Sequence, residues 1–200
     1  MIVKITRRLL VVIFALGGFL RNGSKRAKGC QTNDELESIE QWHRTHDRVW
    51  VGGEFWSNPM EDWRVQDGWV QCQTTASNRS IHSVTRQLTD PRAPFIMSVE
   101  LSRTAPIEKD GGAGFRIGIR SDLNEHRSNC FAKNGINAGL SGNDLILGKT
   151  SKPLNERPSK SHVLLTLKGE PEGSRCAMTL TASDPSNGEQ IGIAQQSVPF

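Results

Sequence analysis

Two stretches of this 200-residue chain alternate between apolar and polar side chains, and that period of two decides what the chain can fold into. Phe95, Met97, Val99 and Leu101 alternate with Ile96, Ser98, Glu100 and Ser102; Phe115, Ile117 and Ile119 alternate with Arg116, Gly118 and Arg120. Successive side chains of a strand point to opposite faces, so the pattern puts one set on a core and the other toward solvent. Runs of the same kind are Trp63 to Val65, Trp69 to Gln73, Ile81 to Leu88, Asp144 to Lys149, Val163 to Lys168, Arg175 to Ala182 and Gln190 to Val198. Asp67-Gly68 and Asp184-Pro185-Ser186-Asn187-Gly188 stand where turns would join neighbouring runs into hairpins. Beyond residue 48 no long stretch has helical spacing, and no fixed-period repeat or low-complexity segment is present. Many short strands with turn signals between them predict an all-β sandwich or jelly roll of antiparallel strands.

Ahead of residue 48 the sequence changes character. Lys4, Arg7 and Arg8 precede an unbroken run of apolar residues and glycines from Leu9 to Leu20. A helix needs about 20 such residues to cross a bilayer, so the run is short for a permanent span and suits a signal-peptide core. Thr6-Arg7-Arg8-Leu9-Leu10 is similar to a twin-arginine export signal, with Arg7 and Arg8 as the pair a receptor would read; the general secretory route is the alternative. No small-x-small cleavage site closely follows Leu20, and Arg21, Lys25, Arg26 and Lys28 lie beyond the run, which keeps an uncleaved anchor open. Ala27-Lys28-Gly29-Cys30 lacks the Leu of a lipoprotein box. Residues 1–30 are therefore read as a signal peptide or membrane anchor. Residues 31–47, with Leu36, Ile39 and Trp42, are read as a polar linker or short helix, and 48–200 as the sandwich domain. The expected location is outside the cytoplasm, in the periplasm or cell envelope, touching a membrane only through the N-terminal segment.

The charge supports that division. Of 25 Lys and Arg, seven fall in residues 1 to 30, where no Asp or Glu stands; the other 18 face 21 acidic residues, a net of −3. A mildly acidic body argues against a surface that neutralises phosphates, so no nucleic-acid partner is expected. The four cysteines, Cys30, Cys72, Cys130 and Cys176, are widely separated and form no C-x-x-C pair, which speaks against a structural zinc site. One disulfide among Cys72, Cys130 and Cys176, or buried free thiols, are the two readings.

The motifs of familiar chemistry fail on inspection. Gly148-Lys149-Thr150 lacks the glycine of a phosphate loop five positions earlier, where Asn143 stands. Asp122, Asn124 and His126 open like a calcium loop, but Arg127 and Lys133 occupy the positions that need Gly and a bidentate Glu. Glu35-Leu36-Glu37-Ser38-Ile39-Glu40 resembles a glucanase signature with Glu for its central Asp, yet it precedes the strands and lies in a polar stretch, which reads as a solvated acidic segment. His43, His46, His82, His126 and His162 form no H-E-x-x-H, and there is no G-x-S-x-G. No catalytic residue, metal ligand or cofactor is assigned. Trp50, Phe55, Trp56, Trp63 and Trp69 are the densest aromatic group; most are expected to fill a core, with Trp56 and Trp69 the preferred positions for a ligand platform.

Gly53-Glu54-Phe55-Trp56-Ser57-Asn58-Pro59-Met60-Glu61-Asp62-Trp63-Arg64-Val65, with Gly68 and Cys72, resembles the opening of the concanavalin A-like (laminin G-type) domain placed ahead of bacterial alkaline phosphatase D-like metallophosphoesterases. Gly112 to Ser121, Asn137-Ala138-Gly139-Leu140 and Leu145-Ile146-Leu147-Gly148 look like its central strands. The resemblance runs from about Val49 to the C-terminus and implies a lectin-like jelly roll. In such proteins a phosphatase module follows, with Asp, Asn and His ligands for two metals; no residue here matches those motifs, and the chain is expected to stop before the last strands of the lectin-like domain. The resulting expectation is a non-catalytic exported module that binds glycan or cell-envelope polymer. The alternatives are the front fragment of a secreted metallophosphoesterase and a structural cell-surface protein.

Overall fold

Where the sequence alternates, the described backbone is largely extended and paired; residues 85–88 and 118–120 of the alternating runs lie outside the described residues. The structure, a computed structural model, describes residues 3–13, 42–74, 76, 79–84, 92–103, 112–117, 135–155 and 162–199. They form β1 (Val3–Ile13), β2 (Phe55–Asn58), β3 (Trp63–Gln66), β4 (Trp69–Cys72), β5 (Ser80–Ser83), β6 (Phe95–Arg103), β7 (Gly112–Ile117), β8 (Ile136–Ser141), β9 (Asp144–Leu147), β10 (Thr150–Pro153), β11 (His162–Glu172), β12 (Arg175–Ser183) and β13 (Gln190–Pro199). Two 3₁₀ turns, Trp42–Arg44 and Met60–Asp62, complete the set. A seven-stranded sheet runs β13-β12-β11-β6-β1-β4-β3, a four-stranded sheet runs β10-β9-β8-β7, and β2 pairs with β5. All these pairs are antiparallel.

Turn chemistry sets the registers. Asp67 and Gly68 both have positive φ, 53° and 77°, and close β3 onto β4 with Gln66 opposite Trp69. This is the two-residue turn whose twist matches that of the flanking strands. Gly148 (φ 57°) and Lys149 make a second two-residue link, from Leu147 to Thr150, so Gly148-Lys149-Thr150 belongs to a hairpin turn and not to a phosphate loop.

The larger core lies between the two main sheets. The inward set of β6 (Met97, Val99, Leu101) joins Val163, Leu165 and Leu167 of β11, Met178, Leu180 and Ala182 of β12, and Ile191 and Ala194 of β13. Ile117, Ala138, Leu145 and Leu147 of the smaller sheet face them. Burying each large aliphatic side chain contributes about 1.5–3 kcal/mol, so this face-to-face packing is the main source of stability. At Gly169 the ring of its cross-strand partner Phe95 occupies the space a Cβ would need.

A second core gathers Trp42, Val51, Phe55, Trp63, Val65, Val70 and Cys72. Trp42 is 2% exposed, donates from Nε1 to the Val51 carbonyl at 2.7 Å, and packs its ring 5.3 Å from that of Phe55. A buried indole with its N–H satisfied contributes packing without leaving a donor orphaned. Trp42, expected on a linker or short helix, is thus a core residue.

The signal or anchor helix expected over the apolar run Leu9 to Leu20 is not seen in its described part, residues 9–13. Residues 3–13, including Arg7 and Arg8, are extended as β1; Phe14 to Leu20 lie outside the described residues. The β-branched content of Val3, Ile5, Thr6, Val11, Val12 and Ile13 suits a strand as well as an export core. Among the described residues no helix is long and apolar enough to cross a membrane.

Candidate functional site

The polar half of β6 builds the site. Ser98, Glu100 and Ser102 alternate with the core residues and therefore share the opposite face of the seven-stranded sheet. Register sets His162, the first residue of β11, directly across from Ser102, and Leu164 across from Glu100. His162 Nε2 lies 3.1 Å from Ser102 Oγ, and its Nδ1 lies 3.3 Å from Glu100 Oε1. With its proton on Nδ1, the imidazole donates to Glu100 and accepts from the Ser102 hydroxyl.

Trp69 closes the group. The first residue of β4, it is half-buried, and its ring meets the His162 ring edge-on at 5.4 Å and 81°. In sheet order β1 and β6 stand between β4 and β11, so the two rings lean toward one another across these strands. The His162 and Glu100 side chains keep 37% and 20% of their surface accessible, whereas Ser102 is 6% exposed. The result is a half-buried aromatic ring beside a partly exposed imidazole and carboxylate, the latter two held in place by hydrogen bonds.

Ser102, His162 and Glu100 have the connectivity of a nucleophile, base and acid relay. The surroundings do not suit acyl transfer. Ser102 is buried in mid-sheet, and β6 is paired at that level on both edges, with Lys4 of β1 and His162 of β11. Backbone N–H groups committed to ladders are not turned toward a developing oxyanion. The hydrogen bonds fix the orientation of His162 and Glu100 at the surface of the sheet. Among the described residues no group of three or more His, Cys, Asp or Glu side chains is placed to hold a metal ion.

The two tryptophans singled out from sequence occupy different sheets. Trp56 lies on β2 opposite His82 of β5, half-buried, with its Nε1 enclosed and without a hydrogen-bond partner among the described residues. Among the described residues it makes no ring contact with Trp69. The most exposed tryptophan is Trp50, at 54%, with the Arg48 guanidinium 5.7 Å from its ring centre. Cys72 and Cys176 are free thiols in separate cores, and Cys130 lies outside the described residues, as do Asp122 and His126. Burial pushes both thiols above the ordinary cysteine pKa.

Sequence reasoning reached Trp69 but not Glu100, Ser102 or His162. Their signal was the polar half of the β6 alternation, which reads as solvent-facing until pairing with β11 is known. Comparison with protein-family models, with curated proteins and with solved structures finds no match.

Proposed function

We propose that this protein is a non-catalytic β-sandwich module that binds glycan or cell-envelope polymer on the outer face of its seven-stranded sheet. The observation that carries the reading is Trp69 set against His162, with Glu100 hydrogen-bonded to the same imidazole. A pyranose offers apolar C–H groups on one face and hydroxyls around its rim, and an aromatic ring flanked by fixed polar groups complements both. The two-sheet antiparallel architecture is compatible with the concanavalin A-like jelly roll that the sequence resembles. Export through the Arg7-Arg8 leader would bring the module to the periplasm or envelope, where such polymers lie.

Retention on immobilised polysaccharides and a glycan array test the proposal. The wild type is expected to bind at least one ligand, Trp69→Ala to lose about tenfold or more in affinity, and Trp56→Ala to lose less. Equal binding by wild type and Trp69→Ala, or binding by neither, would remove the support for this face.

A further inference from the structure

Among the described residues, the β3–β4 hairpin joins the seven-stranded sheet only through β1. β1 pairs with β6 from Val3↔Arg103 to Ile13↔Phe95, and with β4 at Lys4↔Gln71 and Ile5↔Val70. Take β1 away and β6 presents a nine-residue edge in which Met97, Val99 and Leu101 are core residues. A long, apolar, unpaired edge is a template for another strand.

The pairing shows what that edge selects. Ile5 is in register with Leu101 and Val11 with Met97, both core-facing positions. The register shift between Thr6 and Leu10 takes up two extra residues, an even number, so the in-and-out phase is the same on both sides of it. Arg7 and Arg8 fall inside that irregular stretch and have no register partner there, as suits charge in the middle of an apolar strand. No tight turn ties β1 to either neighbour. Residues 14–41 connect it to Trp42, and at about 3.3 Å per extended residue that link can span roughly 90 Å. Residues 9–13 also belong to the apolar run read as a leader, and one segment cannot occupy an export channel and the sheet together.

We propose that the β6 edge facing β4 is a strand-accepting site with an exchangeable occupant, and that residues 3–13 of a second copy of this chain are the strand it takes in trans. Exchange re-forms the same backbone ladder, so little is lost beyond the entropy of association. The inference stands on strand pairing and is independent of the glycan reading; failure of sugar binding would leave its readouts unchanged.

The test uses full-length chains. One chain carries Ile5→Cys and the other Val70→Cys; they are unfolded together, refolded at rising concentration and oxidised, and the disulfides are mapped by mass spectrometry. A link between the two introduced thiols, in a fraction that grows with concentration, is expected, with none when Thr6→Cys replaces Ile5→Cys. Absence of the link at every concentration, or equal linking by Thr6→Cys, overturns the proposal. The unsubstituted chain gives a reading that no variant can spoil. Dimer and monomer separated by size are expected to share slow amide exchange over Phe95–Arg103; exchange about 100-fold faster in the dimer would mean a bare edge and would overturn it, as would the absence of any dimer.

Discussion

Cys72 and Cys176 show how residue-scale burial decides chemistry. A thiolate is the reactive form of cysteine, and desolvation disfavours it, so both thiols stay protonated and shielded at neutral pH. Labelling by a thiol reagent is therefore expected to be slow for both and to follow unfolding; rapid labelling of either in the native protein would show that its core is open. The same shift has a sign for stability. With a folded pKa above the unfolded one, the native state binds more protons between the two values, and unfolding free energy falls as pH rises there. Each thiol's contribution is whole below the unfolded pKa, near 8.5, and is lost as pH rises through the folded one. Urea midpoints measured from pH 7 to 10 are expected to decline above about pH 8.5, and to decline less in Cys72→Ala.

Elements are decided by turns as much as by alternation. Gly148 and Gly173 both carry positive φ, 57° and 61°, but a Cβ at Gly173 would meet nothing, whereas one at Gly148 would press on the Gln196 side chain. That side chain accepts the Lys149 N–H at 3.0 Å. Gly173→Ala is expected to cost about 1 kcal/mol for backbone strain alone, and Gly148→Ala about 1 kcal/mol more for displacing Gln196. Equilibrium unfolding checks the difference; in a Gln196→Ala background the two costs should converge. The strands read from alternation, β11 and β12 among them, were legible because each is buried on one face. β10 was not, since Thr150-Ser151-Lys152-Pro153 is an edge strand with no large apolar side chain to announce it. β1 was hidden for the opposite reason: beyond Leu9 every residue is apolar, a pattern with no phase.

At the scale of the molecule, two antiparallel sheets enclose one large core, a smaller core gathers around Trp42, and an aromatic and polar group sits on the outer face of the larger sheet. The sandwich class could be read from the chain, because period is a local property. The contact of Trp69 with His162, and of His162 with Glu100, could not, because the strand order brings together residues from β4, β6 and β11 that no local pattern links. The measurement that bears most directly on a glycan-binding outer face is a titration of the tryptophan indole N–H resonances, assigned by single Trp→Phe variants, with soluble polysaccharides. The Trp69 resonance is expected to shift saturably while that of Trp42, hydrogen-bonded in its core, stays in place. A shift at Trp42 with Trp69 unmoved, or no indole shift with any polysaccharide, would contradict the account.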